Sequence, residues 1–459
     1  MTNLGELLDR PLTAQAAAVA DGETSAEELL TAALERIEQR NAALNAVVEL
    51  FPERSREMAA AAPDGPLRGV PVVIKDEWPL PWRAHRFGWA FPPPGAEPGE
   101  SGPYRALRDA GAVIAGVANM HEMGSSSTGN FSAYGPAHNP WDPERCPGGS
   151  SSGPGSAVGG RLVGGAVGAD GTGSIRYPSA YCGITGLKPT FGRSAMEGHH
   201  VKGTTTIVSG PMCADAASCR VLGSALFGEE LAEGDAAGLR IGVVNGPIAE
   251  DNAPEVAAAC EEATEQLRSE TGGDVTTVEI EGLDVSGTAA VLVGSTEGLA
   301  TLSPAGLNAL GEETGLINRA LLKYRMLMPA PIMSRAHRVR TMLRRSLVRT
   351  FEQVDVIAWP TVPAVAPPLE APVVELPSGP HSADEVNPRG GGLANLTGIP
   401  AVSVPVGLSS DGLPIGLQLQ AAWGRDALLL DAAEALERAN DRRWVEALPP
   451  LARGATTPL

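Results

Sequence analysis

Two serines and one lysine carry the chemistry that residue types and spacing suggest for this 459-residue chain. Ser150 and Ser174 lie in glycine-rich turns, Gly148-Gly149-Ser150-Ser151-Ser152-Gly153 and Gly168-Ala169-Asp170-Gly171-Thr172-Gly173-Ser174, on either side of an apolar segment at 162–167. Upstream, the apolar run 69–74 ends on Lys75. Burial disfavours the ammonium form of a lysine, and the neutral amine is then a base. The glycines ahead of Ser174 permit positive φ and can turn several N–H groups inward, as an oxyanion hole for a tetrahedral intermediate requires. Ser150 stands as a relay between Lys75 and Ser174. These are the parts of a serine nucleophile activated without histidine, and the chemistry they point to is acyl transfer.

Taken singly, each group has a plainer reading. A strand-end lysine commonly snorkels to the surface, and Asp76 beside Lys75 offers it a salt bridge. A glycine-rich turn is often only a turn, and Ser150 reads equally well as a helix N-cap. Rival motifs fare worse. Gly149–Gly153 has Gly-x-Ser-x-Gly spacing, but the Pro-rich residues 139–147 ahead of it form no strand, as a nucleophile elbow needs. No glycine run carries a phosphate loop or a dinucleotide fingerprint behind a strand. His121-Glu122 has Ser125 where a zinc-protease motif needs its second histidine. The seven histidines fall in no Ser-His-Asp order and read as structural. The five cysteines, Cys146, Cys182, Cys213, Cys219 and Cys260, lack metal-ligand spacing and read as reduced, non-catalytic core thiols.

The elements that must hold these groups follow an α/β alternation. A capping-box-like start at 24–28 precedes Leu29, Leu30, Ala33, Leu34 and Ile37 at helical spacing. The strand to Lys75, a helix near 102–110 and a strand at 112–118 come next. Residues 120–215 lack long periodic segments and read as loops over a sheet that carry functional groups. Then a strand at 239–244, a helix over 254–271 and a strand at 274–280 lead into a helical region that runs to about 353. That region ends in Arg335, Arg338, Arg340, Arg344, Arg345 and Arg349, read as a solvated helix face or subunit contact, with an acidic-substrate site as the alternative. Strands at 354–359, 401–406 and 414–420 and a closing helix at 427–439 complete the chain. No repeat or long linker appears, so one domain over 1–459 is expected. A net charge of −19 argues against nucleic acid or an anionic membrane as partner. No apolar run reaches membrane-spanning length, and the first residues do not read as a signal peptide, so a cytoplasmic location is expected.

Together these segments resemble the amidase signature family. Residues 147–193 resemble its signature almost end to end, closing on Cys182-Gly183-Ile184-Thr185-Gly186-Leu187-Lys188-Pro189-Thr190. The blocks at 69–76, 134–140, 395–405 and 412–418 match further family segments. The resemblance implies an α/β fold with a large mixed central β-sheet sandwiched by helices, and a variable, mostly helical substrate-specificity region at about 225–350. It implies Lys75 as base, Ser150 as bridging serine on a cis peptide bond, and Ser174 as nucleophile. The N–H groups of Gly171, Thr172, Gly173 and Ser174 would form the oxyanion hole, and Met123, Gly124 and Ser125 sit where the family places a substrate-side loop. The implied activity is hydrolysis of a small-molecule amide through an acyl-serine, without a cofactor or metal, by a chain that pairs as a homodimer. Two alternatives keep the scaffold: the ammonia-supplying A chain of a glutamine-dependent amidotransferase, or a non-catalytic binding protein, against which the retention of Lys75, Ser150 and Ser174 counts. Ala169 and Thr172 depart from the family pattern in the oxyanion loop, and Ser152 and Pro154 depart from it in the serine turn.

Overall fold

The computed structural model of the protein describes residues 3–93, 95–199, 205–300 and 325–453. The apolar run that ends on Lys75 forms β2 (Pro71–Lys75), buried at every position. A strand without a water-facing side needs cover on both faces, which is the situation of parallel strands in layered α/β folds. β3 (Val113–Ala118) and β4 (Gly165–Asp170) flank it, both parallel to it and fully buried. β1 (Val47–Leu50) closes that edge antiparallel to β3. Beyond β4 the sheet continues through β6 (Val208–Cys213), β5 (Thr185–Lys188), β12 (Ala401–Leu408), β13 (Pro414–Ala421), β9 (Val356–Pro360), β7 (Arg240–Val244) and β8 (Asp274–Val278), eleven strands among the described residues. The pairings from β4 to β9 are antiparallel, whereas β9, β7 and β8 are parallel again. A separate hairpin, β10 (Val373–Leu376) with β11 (Gly379–Ser382), stands outside the sheet.

Side-chain alternation along β2 decides where Lys75 points. Val72 and Ile74 join the hydrophobic cluster that holds Trp78, Leu107 and Leu222, on the face covered by the helices Ala216–Phe227, Pro254–Thr271 and Asp426–Ala439. Val73 joins the opposite cluster with Ile37, Ala157 and Val158, on the face covered by the helices Ala26–Leu44 and Ser152–Gly159. Lys75, two residues after Val73, therefore leaves the strand on the side of the helix that Ser150 precedes. The predicted start of the helix Ala26–Leu44 is present as a capping box between Ser25 and Glu28.

One sequence expectation fails here. Residues 120–215 are not loops laid over a sheet; they supply β4, β5 and β6 and the helices Ser152–Gly159 and Arg176–Cys182. Both helices are buried at every position, so neither shows an apolar stripe opposite a polar one. Likewise β4 reads Gly-Ala-Val-Gly-Ala-Asp, small residues buried on both faces, with no alternation to detect. The region at 225–350 also gives β7 and β8 to the sheet edge, in line with the strands expected there.

The small residues of the helix Ser152–Gly159 are a packing requirement. A Cβ on Gly153 would lie 2.3 Å from the backbone nitrogen of Asn119 and 2.4 Å from the carbonyl oxygen of Ala46. On Gly155 it would lie 2.8 Å from Pro178 Cβ. Backbone cannot yield as a side chain can, so Gly153→Ala is expected to destabilise the protein by about 1–3 kcal/mol or more through overpacking. A lowered midpoint in chemical denaturation checks this; an unchanged midpoint contradicts it.

Candidate active site

Lys75 and Asp170 end two neighbouring parallel strands, β2 and β4, and the crevice outside such carboxyl ends is where open α/β sheets place ligands. From Asp170 the chain turns sharply through Gly171, Thr172, Gly173 and Ser174 into the helix Arg176–Cys182. Asp170 shapes this turn. One of its oxygens accepts from Gly173 N at 2.6 Å and the other from Ile175 N at 3.2 Å. Arg176 returns onto the same carboxylate, with Nη2 and Nε each 3.0 Å from one oxygen. The guanidinium is in turn held by Gln418 at 2.5 Å and Asn395 at 2.6 Å, and Asn395 donates back to the Asp170 carbonyl at 2.8 Å. Burial acts to raise the Asp170 carboxyl, but Arg176 outweighs it and holds the group below its ordinary value.

The Ser150 turn is stapled to this loop by backbone and by Ser151. Ser151 N donates to the Ser174 carbonyl at 3.2 Å. Ser151 Oγ donates to the Ala169 carbonyl at 3.2 Å and accepts from Ala169 N at 3.3 Å. The Gly149–Ser150 peptide bond is cis. Lys75 Nζ meets Ser150 Oγ at 2.9 Å and reaches the Ala169 carbonyl at 3.4 Å. Burial lowers the Lys75 ammonium below its ordinary value, with the carboxylates of Glu77 and Asp170 pulling the other way. Ser150 and Ser174 are both buried, and both line one pocket with Lys75.

That pocket brings together Lys75, Ser150, Ser174, Gly171 and Thr172, with Met123, Gly124 and Ser125 on one wall. Gly173 is the exception. Its N–H is committed to Asp170, and its role is steric: at φ 138° a Cβ there would lie 2.0 Å from the Tyr177 ring. Of the four donors expected for the oxyanion hole, those of Gly171, Thr172 and Ser174 remain. The Thr172 carbonyl accepts from the Tyr177 hydroxyl, which anchors the backbone of that residue from behind.

Two alternative readings fail, the Asp76 salt bridge to Lys75 and the acidic-substrate site at the arginine-rich segment, whose arginines lie largely exposed on a helix as the first reading has it. Asp76 does not pair with Lys75; it is committed to Arg83 at 2.7 Å and to the N–H groups of Arg86 and Gly88. The partner of Lys75 is Glu77, at 3.3 Å. The arginine-rich segment lies in the helix Ala330–Gln353, and none of its six arginines lines the pocket. Arg340 donates to Thr205 Oγ1, Arg344 stacks on Trp423 and Arg349 pairs with Glu281. The pocket's cation from this half of the chain is Arg325, which burial pushes below its ordinary value and which has no ion-pair partner among the described residues. Asp384, also at the pocket, is taken up by Ser126 and by Ser127 N and Oγ at 2.6–2.9 Å. Sequence reasoning missed Glu77, Arg325 and Asp384; only Glu77, two residues from Lys75, left a signal. A second buried lysine, Lys188, is brought down to about 7 by burial, yet it donates to the Pro189 carbonyl and lies outside the pocket. All five cysteines are buried, and burial pushes the thiols of Cys146, Cys182 and Cys260 up, away from nucleophile behaviour.

Comparison with known proteins agrees in sequence and in shape. The sequence profile of the family described as Amidase matches residues 28–430. The chain is 33% identical to the A chain of the glutamyl-tRNA(Gln) amidotransferase of Thermus thermophilus over 467 residues, covering 94% of this chain and 97% of that one. Among solved structures, an amidase superposes with a TM-score of 0.88 at 29% identity, covering 94% of this chain and 99% of the other. A 6-aminohexanoate cyclic dimer hydrolase, solved with its substrate, superposes with a TM-score of 0.83 at 26% identity, covering 97% and 99% of the two chains.

The Asp170–Arg176 pair generates a stability prediction. Breaking a buried pair leaves an uncompensated charge, at a cost of about 3–5 kcal/mol, so Asp170→Asn is expected to lower the unfolding free energy by that amount. The carboxyl is held below its unfolded value of about 3.9. Its contribution is therefore present above that pH and is lost as pH falls through the lower folded value. Denaturation midpoints measured between pH 7 and pH 2 are expected to converge for wild type and Asp170→Asn at the acid end; parallel curves contradict the assignment.

Proposed function

The chain belongs to the amidase family and acts on carbon–nitrogen bonds, and we propose that it hydrolyses a small-molecule carboxamide through an acyl-serine with Ser174 as nucleophile, Ser150 as bridge and Lys75 as base. The observation that carries this reading is the 2.9 Å contact between Lys75 Nζ and Ser150 Oγ in a pocket that Ser174 also lines. A hydroxyl needs a base to attack at neutral pH, and an amine in a buried, desolvated position is neutral often enough to serve. As Ser174 Oγ bonds to the amide carbon, its proton passes to Ser150 and the Ser150 proton passes to Lys75. The carbonyl oxygen, now an oxyanion, is held by the N–H groups of Gly171, Thr172 and Ser174. Collapse of the intermediate breaks the C–N bond, and the relay runs backwards to protonate the leaving nitrogen. Water then takes the place of Ser174 in the same sequence and releases the acid.

Arg325 gives the pocket a cationic wall, which favours amides that carry a carboxylate or a strong acceptor over purely hydrocarbon ones. A second reading, an ammonia-delivering component of a larger complex, is favoured by the near full-length match to the A chains of amidotransferases. The purified chain alone is expected to release the acid and the amine or ammonia; glutamine hydrolysis that appears only with partner proteins would favour the second reading instead.

A fluorophosphonate probe is expected to label wild type and to leave Ser174→Ala unlabelled. Lys75→Met is expected to lose about 10²–10⁴-fold in kcat, the usual worth of general base catalysis. Equal labelling of Ser174→Ala removes Ser174 from the nucleophile's role. Arg325→Gln is expected to raise KM for carboxylate-bearing amides by about tenfold or more, the worth of a charge-assisted hydrogen bond, with neutral amides unchanged. An equal effect on both classes counts against a charge-reading wall.

A further inference from the structure

Glu77 is an acid placed against the base. It is completely buried and lines the pocket, and a tight turn from Glu77 N to the Lys75 carbonyl at 2.7 Å folds it back toward Lys75. Glu77 Oε2 lies 3.3 Å from Lys75 Nζ, and Oε1 lies 3.6 Å from His199 Nε2. The imidazole of His199 is packed on Trp78 and Phe87, with ring centroids 5.1 and 5.9 Å away. Burying a carboxylate is costly before pairing returns any of that cost, so an apolar side chain would fill this space more cheaply.

The donor count at Lys75 suggests what the acid does. A neutral amine has two N–H bonds and one lone pair, and it acts as a base only through the lone pair. Three oxygens surround Nζ: Ser150 Oγ at 2.9 Å, Glu77 Oε2 at 3.3 Å and the Ala169 carbonyl at 3.4 Å. Two of them, the carboxylate and the carbonyl, only accept. They take the two N–H bonds and leave the lone pair facing the one group that can donate, the Ser150 hydroxyl. After proton transfer the ammonium has three N–H bonds for the same three oxygens.

Resting on the reading of Lys75 as base, we propose that Glu77 is a positioning residue that orients the Lys75 amine toward Ser150 and remains as the counter-charge when the proton arrives. The proton moves from Ser150 Oγ to Lys75 Nζ while Ser150 takes that of Ser174, and Glu77 itself gains and loses none. The other charged groups around the pair have their own commitments or stand apart. Asp170 is bound to Arg176, with Lys188 beyond it, Asp76 is bound to Arg83, and Arg325 lines the same pocket. His199 Nε2 stands 3.6 Å from the far oxygen of Glu77.

The test is the pH profile of fluorophosphonate labelling for wild type, Glu77→Asp and Glu77→Gln, with Lys75→Met to identify the limb. Labelling rises with pH as the base loses its proton. Removing an opposite charge lowers the pKa of an ammonium, so the acid limb of Glu77→Gln is expected about one to three pH units below wild type. Its plateau is expected at least tenfold lower, because the amine is no longer oriented. Glu77→Asp, which keeps the charge but retracts it by one methylene, is expected between the two. An unmoved limb with a scaled-down rate in both variants is what a packing role gives, and it overturns the inference; should Glu77→Gln fail to fold, an unmoved limb in Glu77→Asp does so alone. Wild-type labelling that needs neither Ser174 nor Lys75 overturns the reading of the site itself, and so is told apart from failure of Glu77.

Discussion

The buried pair of Asp170 and Arg176 is the constraint on which the site depends. Two opposite charges are completely buried, and every oxygen of the carboxylate and every nitrogen of the guanidinium takes part in a hydrogen bond. Such a pair is a poor way to gain stability, since apolar residues of similar volume often do as well. It is a good way to define a turn. With its carboxylate fixed by Arg176, Asp170 gathers the N–H groups of Gly173 and Ile175, and the intervening Ser174 is left at the pocket. Arg176 extends the constraint to Asn395 on the helix Ala383–Thr397 and to Gln418 on β13, so these elements and the loop that carries Ser174 share one network.

The second half of the site is assembled by close approach rather than by charge. The helix that follows Ser150 comes so near its neighbours that side chains are excluded at Gly153, Gly155 and Gly159. Ser151 then ties that helix to the end of β4 through its hydroxyl and to Ser174 through its backbone N–H. Lys75 needs only the alternation of β2 to leave that strand on the same side as this helix. The two glycine-rich segments are thus bonded into one unit, and the lysine is added by a neighbouring strand.

Much of this was legible in the residues. The apolar lead-in to Lys75 and the helix Pro254–Thr271 follow from patterns that water imposes on a chain, whereas Ser150 and Ser174 were marked by their glycine-rich turns and by the resemblance to a known family. The strands and helices of 120–215 were not legible, because elements buried on every side carry no periodicity. The four-donor oxyanion loop was too generous by one: a string of glycines shows that N–H groups can turn inward, but not which of them Asp170 has already taken. Arg325 was unreadable for a different reason. It lies 151 residues from Ser174 in a stretch with other cations, and only the fold brings it to the pocket. Glu77 was overlooked because Asp76 is nearer in sequence, though the strand sends the Asp76 side chain to Arg83.

The route by which Arg176 is held has a bearing on the life of the chain before it is finished. Its partners Asn395 and Gln418 follow it by 219 and 242 residues. During synthesis, the lysine and both serines emerge from the ribosome long before the groups that clamp their loop. A chain growing from its N-terminus at the usual pace spends tens of seconds in that condition. The loop that carries Ser174 acquires its full hydrogen-bond network only when the last strands have joined the sheet.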